Sequence, residues 1–268
     1  MIILVFMLSI VTPQASPDPY AIYTKAMQHL ATLPEPRYII DTQRQIITTV
    51  RNGEVHDDTE NVARYVYDTN TRLECGFFLP FNRTDQPTIG PSYFGPDTWL
   101  VRKGFHSPAN ATLTPDLSDL KTIASIIVVG RPSYDIRLVG IEPLTNEGSA
   151  YHLILRPRFD PVRHNLRELW VNTVTYNIAR AVIEGVYRYD PNDLAEDTFV
   201  TEDFGSVGGY WLVIHKTWSY AKPFSPIKYE FNFSSMSMQF PPSVPPWLFD
   251  LRAFSAHTFN ATGPLFTQ

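Results

Sequence analysis

The sequence predicts a mainly β protein of α+β element order, and three observations carry that prediction. Residues 166–239 alternate apolar and polar side chains at a period of two. An amphipathic helix stands before the first strands. Gly, Pro and Asn turn signals cut much of the rest into a meander.

The alternation is clearest over residues 227–234, where Ile227, Tyr229, Phe231 and Phe233 are separated by Lys228, Glu230, Asn232 and Ser234. Successive side chains of a strand point to opposite faces, so this is a half-buried antiparallel strand. Over residues 180–190, Ala181, Ile183, Gly185, Tyr187 and Tyr189 alternate with Arg180, Glu184, Arg188 and Asp190. Residues 210–220 repeat the pattern more weakly, with Tyr210, Leu212, Ile214, Trp218 and Tyr220 on one side and His215, Thr217 and Ser219 on the other. With one further strand at the start of 166–239 they make four consecutive strands with a bulky aromatic face.

Length and composition set the class. A chain of 268 residues, 44% hydrophobic and 18% charged, can bury a full core and is expected to form one domain over residues 16–268. The formal net charge of -5 gives no attraction to a phosphate backbone, so a nucleic-acid partner is not expected. Residues 1–11 are apolar and are followed by Thr12, Pro13, Ala15 and Ser16, which reads as a signal peptide over residues 1–15. That run is shorter than the roughly 20 residues a membrane-spanning helix needs, and no other stretch qualifies. The expectation is an exported chain, periplasmic or secreted, with no stable membrane span. Cys75 is the only cysteine, so no internal disulfide forms, and Leu73, Phe77 and Phe78 beside it predict a buried thiol.

Asp18-Pro19 is a helix start: the aspartate caps free amides and proline suits the first turn. Tyr20, Tyr23, Ala26, Met27, Leu30 and Leu33 then fall on one face, and Pro34-Glu35-Pro36 ends the helix. Residues 37–50, 61–69 and 72–79 read as strands joined by turns at Asn52-Gly53 and residues 68–71. Residues 81–130 mix prolines with Phe81, Tyr93, Phe94, Trp99 and Phe105. A strand is expected at 98–103, and Thr114-Pro115 opens a helix whose stripe is Leu117, Leu120, Ile123 or Ala124, and Ile127. So long an insertion in a compact domain is typically functional or covering, which makes it a candidate lid with Trp99, Leu117, Leu120 and Ile127 on its apolar side. Sheet resumes at 134–141 and 151–156, and a Pro- and aromatic-rich tail fills residues 241–268, expected as a strap closing the barrel's edge, with recruitment of a polyproline-binding partner as the alternative.

The sequence predicts no catalytic residue, metal ligand set or cofactor. None of the seven histidines stands in an HxH, HExxH or HxxxH arrangement, and GxSxG is absent. His56, Asp57, Asp58 and Glu60 read as a solvated loop, and Asp160 and His164 as an exposed ion-pair loop. Gly205-Ser206-Val207-Gly208-Gly209 reads as a hairpin turn. Glu202 and Asp203, adjacent on a strand, point to opposite faces and cannot share a site. Binding by the apolar face is the remaining chemistry.

The phrase Leu169-Trp170-Val171-Asn172-Thr173-Val174-Thr175-Tyr176, followed by Ala181-Val182-Ile183-Glu184-Gly185, resembles the strand-turn-strand wording of the LolA/LolB superfamily of bacterial lipoprotein carriers, which includes RseB-like sensor domains. Phe204, Gly208-Gly209-Tyr210-Trp211 and residues 227–233 complete a similar hairpin, and the resemblance covers residues 18–240 in element order. It implies an incomplete, strongly curved antiparallel β-barrel with an N-terminal helix and a helical lid. The implied function is non-catalytic: a cavity accepting lipid or lipoprotein acyl chains, lined by Ile183, Tyr187, Leu212, Ile214, Trp218, Tyr229, Phe231 and Phe233. It also implies Arg44 as counterpart of the family arginine that ties barrel to lid. The same Tyr and Trp residues either line a cavity or fill it. A filled core would make the chain a sensory or interaction module with a protein partner.

Overall fold

The computed structural model describes residues 16–80, 87–92, 95–98, 101–102, 133–144, 148–158, 164–185, 198–221 and 227–257. In chain order these form α1 (Pro19–Thr32), β1 (Tyr38–Arg51), β2 (Glu54–Asp68), β3 (Leu73–Leu79) and β4 (Thr88–Pro91). Then come β5 (Tyr134–Leu144), β6 (Gly148–Pro157), β7 (Leu166–Asn172), β8 (Ile178–Gly185), β9 (Thr198–Val207), β10 (Tyr210–Ala221) and β11 (Ile227–Gln239). A 3-10 turn (Pro246–Phe249) and α2 (Leu251–Ala256) follow. The strands form one antiparallel sheet in the order β4-β3-β2-β1-β11-β10-β9-β8-β7-β6-β5, open between its two edges. The signal-peptide expectation and the lid residues Trp99, Leu117, Leu120 and Ile127 lie outside the described residues, as does Tyr187.

Residues opposite each other in an antiparallel pair share a face. Ile183 faces Val200, Ala181 faces Glu202, Leu169 faces Leu153 and Val171 faces Ile178, which defines a concave side. Helix α1 fills one half of it. Asp18 accepts from the Tyr20 amide, and Ile22, Tyr23, Ala26, Met27 and Leu30 pack on Leu153, Leu169, Ile183, Val200 and Phe204. The Tyr20 hydroxyl also reaches the Ile136 amide on edge strand β5, while Trp211 and Val213 of β10 join the same cluster. A helix that touches strands so far apart in the sheet order requires the sheet to be curved around it.

The convex side of β1–β3 carries a second core. Ile40, Val66, Cys75 and Phe77 are covered by Val244, Leu248 and Phe254 from the C-terminal segment. Asp250 caps α2 by accepting from the Arg252 and Ala253 amides. The tail is therefore packed onto its own sheet as far as residue 257.

Four sequence expectations change. Residues 54–60 belong to an exposed stretch of β2 rather than a loop, because β2 continues to pair with β1 up to the Asn52-Gly53 turn. Residues 101–102 are helical, with the Arg102 amide donating to the Thr98 carbonyl, where the sequence predicts a strand. His164 is 5% exposed and edge-on to Tyr134, inside the core rather than in an exposed loop. Residues 166–239 contain five strands rather than four; the addition is β9, expected only as a local strand at Glu202-Asp203, because Glu202, Asp203, Gly205 and Ser206 hide its period from a hydrophobicity reading.

Candidate functional site

The other half of the concave side is built by β9, β10, β11, β1 and β2. Phe231 pairs with Trp218 and Ile47, Phe233 with Lys216 and Gln45, and Tyr229 with Thr49. Trp218 and Phe231 stack at 4.5 Å between ring centroids, and Phe231 lies parallel to Phe233 at 6.1 Å. Tyr229, Phe231, Phe233, Trp218 and Ile47 are all half-buried, so their inner surfaces form an aromatic strip with one side open.

At its upper end the strip runs into a cavity of about 120 Å³ lined among others by Gln43, Tyr65, Glu74, Lys216, Trp218 and Phe233. Sites that engulf a drug-sized ligand have about 300–1,000 Å³. This one takes the end of a molecule, not the whole of it. Gly76 shapes one wall: a Cβ there would stand 2.4 Å from Cε1 of Tyr65, so only glycine lets that ring lie flat across β3.

Polar groups fill the deeper part. Glu202 is completely buried opposite Lys216, whose Nζ stands 3.3 Å from Oε1, and neither Glu202 oxygen has a hydrogen-bond partner among the described residues. Burial pushes its carboxyl up to about 7 against the opposing pull of Lys216. Asp41, also fully buried, accepts from Gln43 Nε2 at 2.6 Å and Ser235 Oγ at 3.0 Å, both through Oδ2. Burial outweighs those bonds and raises Asp41 to about 6. Glu74 is raised as well, by burial, with a hydrogen bond from Ser92 acting the other way.

A strap crosses this end. After β4 the chain passes through residues 95–98, where Val213 N–H donates to the Pro96 carbonyl at 2.8 Å and Lys216 Nζ to the Gly95 carbonyl at 3.2 Å. Arg72 and Asp97 form a buried ion pair, and Arg72 also donates to the Ser92 carbonyl. Thr98 Oγ1 donates to Glu35 Oε1 and accepts from Arg102 Nε, which ties the strap to the segment joining α1 and β1. The buried arginine that holds the strap is Arg72, in the turn between β2 and β3. Arg44 instead pairs with Glu60, both about half exposed.

The bulge in β10 that frees the Val213 amide also reorders the expected cavity set. Register shifts between Val213 and His215, leaving Ile214 as the extra residue, 38% exposed at the cavity edge. Beyond it, Leu212 pairs with Gly205 and is buried against Ile39 and Tyr67, behind the cavity rather than on the aromatic strip. Ile183 is fully buried beneath α1. Of the expected set, Trp218, Tyr229, Phe231 and Phe233 come together on the strip and Ile214 lines the adjoining cavity, while Ile183 lies beneath α1 and Leu212 packs on Ile39 and Tyr67. Lys216, Asp41 and Glu74 escaped sequence reasoning, which weighs Glu202 only as the neighbour of Asp203. Their signal was a charge at the inward parity of a strand, as with Lys216 two residues before Trp218.

The convex side of β5–β11 carries a polar ladder. His152 stacks on Trp170 at 4.1 Å and bridges Glu142 and Glu168, and Arg180 lies over Trp170. Asp203 pairs with Arg180 and His215, and His215 reaches Asn232. Glu202 and Asp203 do go to opposite faces. The Asp203 bond raises the His215 pKa, yet no serine, threonine or cysteine side chain is hydrogen-bonded to this histidine among the described residues.

No protein-family model matches the chain, and no curated protein matches it. Three solved structures are similar to it in fold. An outer membrane lipoprotein-sorting protein domain from Vibrio parahaemolyticus is 10% identical with a TM-score of 0.43, covering 87% of this chain and 97% of that one. A LolA superfamily protein from Nitrosomonas europaea is 13% identical with a TM-score of 0.38, over 87% and 98%. A DUF1329 family protein from Desulfovibrio piger is 12% identical with a TM-score of 0.37, over 88% and 99%.

Proposed function

We propose that this chain is a non-catalytic, periplasmic or secreted binding protein that holds an amphipathic ligand, a lipid or a lipoprotein acyl group, on the concave face of its half-barrel. The observation that carries this reading is the Trp218–Phe231–Phe233 stack, three adjoining aromatic rings left half-buried on the inner face beside a cavity. Contiguous apolar surface of this kind marks ligand or partner sites. An alkyl chain laid along it gains about 0.8 kcal/mol for each CH₂ fully buried, so removing two carbons weakens binding by up to about fifteenfold. Among the described residues no helix is long and apolar enough to cross a membrane.

The test is a titration with a fluorescent fatty-acid probe, followed by native mass spectrometry of the complex. Saturable binding, competed by dodecyl maltoside better than by its decyl homologue and lost in Trp218→Ala/Phe231→Ala, is expected. Ligand-free protein that ignores the probe overturns the reading. One observation favours a second reading: the cavity is small, and Glu202, Lys216, Arg72 and Asp97 occupy the space around it. A barrel filled in this way suits a sensory or interaction module, and probe-independent capture of a protein partner would support it.

A further inference from the structure

The upper end of the aromatic strip differs in charge from the rest. Three carboxyl groups from three strands, Asp41 on β1, Glu74 on β3 and Glu202 on β9, lie within electrostatic range of one cavity-lining cation, Lys216, and Glu74 and Glu202 are also within range of Arg72. Arg72 is paired with Asp97, and Lys216 is engaged by Glu202 and the Gly95 carbonyl. Glu74 lines the cavity directly. Asp41 stands behind the wall made by its own partners Gln43 and Ser235, with Oδ1 lacking a hydrogen-bond partner among the described residues although the residue is fully buried. The rest of the lining mixes aromatic rings, Tyr65 and Tyr67 stacked at 5.9 Å with Trp218 and Phe233, with polar groups that include Gln43, Ser235 and Lys216, the last already held by Glu202 and the Gly95 carbonyl.

From this we infer that the cavity takes a cationic head, an alkylammonium group, with the attached chain lying along Trp218, Phe231 and Tyr229. The inference rests on the binding reading above and names the polar end of that ligand. Two features select a cation. Ring faces carry negative charge density and attract ammonium groups, the more so when desolvated. Carboxyl groups in a low-dielectric interior favour an added positive charge, where a carboxylate or phosphate head would be repelled. At about 120 Å³ the cavity is the size of a head group rather than of a chain.

The experiment compares dodecyltrimethylammonium, dodecyl maltoside and dodecanoate, each below its micelle-forming concentration, by titration of the full chain at pH 8. The ammonium compound is expected to bind at least tenfold more tightly than the maltoside, and dodecanoate more weakly than either. Glu74→Gln is expected to shrink the ammonium-to-maltoside ratio below threefold. Asp41→Asn is the second variant and moves the ratio in the same direction. Equal binding of all three, a preference for dodecanoate, or an unchanged ratio in both variants overturns the cationic head while leaving the binding reading in place. Failure of all three compounds to bind overturns both.

Discussion

Asp41 and Glu202 are the residues at which folding and protonation are most tightly linked. Each is buried with its carboxyl pKa raised, to about 6 and about 7, from an unfolded value of about 4. Such a group binds more proton in the folded chain than in the unfolded one, so stability falls as pH rises from about 4 to about 7 and is flat above. His215, raised by its Asp203 bond, acts in the same sense: its contribution is complete below about pH 6.5 and is lost as pH rises through its folded pKa. Thermal unfolding should therefore show a higher Tm at pH 5.5 than at pH 8. Asp41→Asn should raise the Tm at pH 8 and flatten the profile, since the amide can stay neutral beside Gln43 and Ser235. A Tm that climbs with pH across this range would contradict the buried carboxyls. These residues were hard to read in the sequence. Asp41 stands in a strand between Ile40 and Thr42, and only the fold reveals which parity is enclosed.

At the scale of elements, the strap over residues 95–98 and the β10 bulge form one device. The bulge turns the Val213 amide away from the ladder and toward Pro96, and Arg72–Asp97 fixes the strap from the opposite side. Removing one partner of a buried pair leaves an uncompensated charge, so Asp97→Ala should destabilise by about 3–5 kcal/mol in chemical denaturation. Glu60→Ala, which breaks the exposed Arg44–Glu60 pair, should leave the midpoint where it was. Sequence periodicity located α1 and most strands well, because α1 and strands such as β8 and the lower part of β11 bury one face and wet the other. It failed where the period itself breaks. A bulge adds one residue and reverses every side chain beyond it, so Leu212 is out of phase with Trp218 although the two are six residues apart. β9 failed for the converse reason, with Glu202 on its buried face and Phe199, 44% exposed, on its wet one.

The whole molecule is one open antiparallel sheet with separate coverings on its two sides: α1 on part of the concave face, the C-terminal segment on the convex face of β1–β3. The convex covering explains the Pro- and aromatic-rich tail. Val244, Leu248 and Phe254 close over Ile40, Val66, Phe77 and Cys75, whose thiol is pushed up to about 12 by burial. Deleting residues 241–268 should expose that surface, turning Cys75 from inert to reactive toward a thiol reagent under native conditions and increasing binding of a hydrophobic dye. An inert Cys75 in the truncated chain would show that the tail is not the covering layer.

The concave face carries the central claim, that the aromatic strip beside the cavity is where an amphipathic ligand lies. Photo-crosslinking with a diazirine-bearing fatty acid, read by peptide mapping, tests it most directly. Saturable labelling confined to peptides of β10, β11 and β2 that contain Trp218, Phe231, Phe233 and Tyr65 is the predicted result. Labelling that does not saturate, or that falls on the convex ladder around Trp170 and His152, would contradict it.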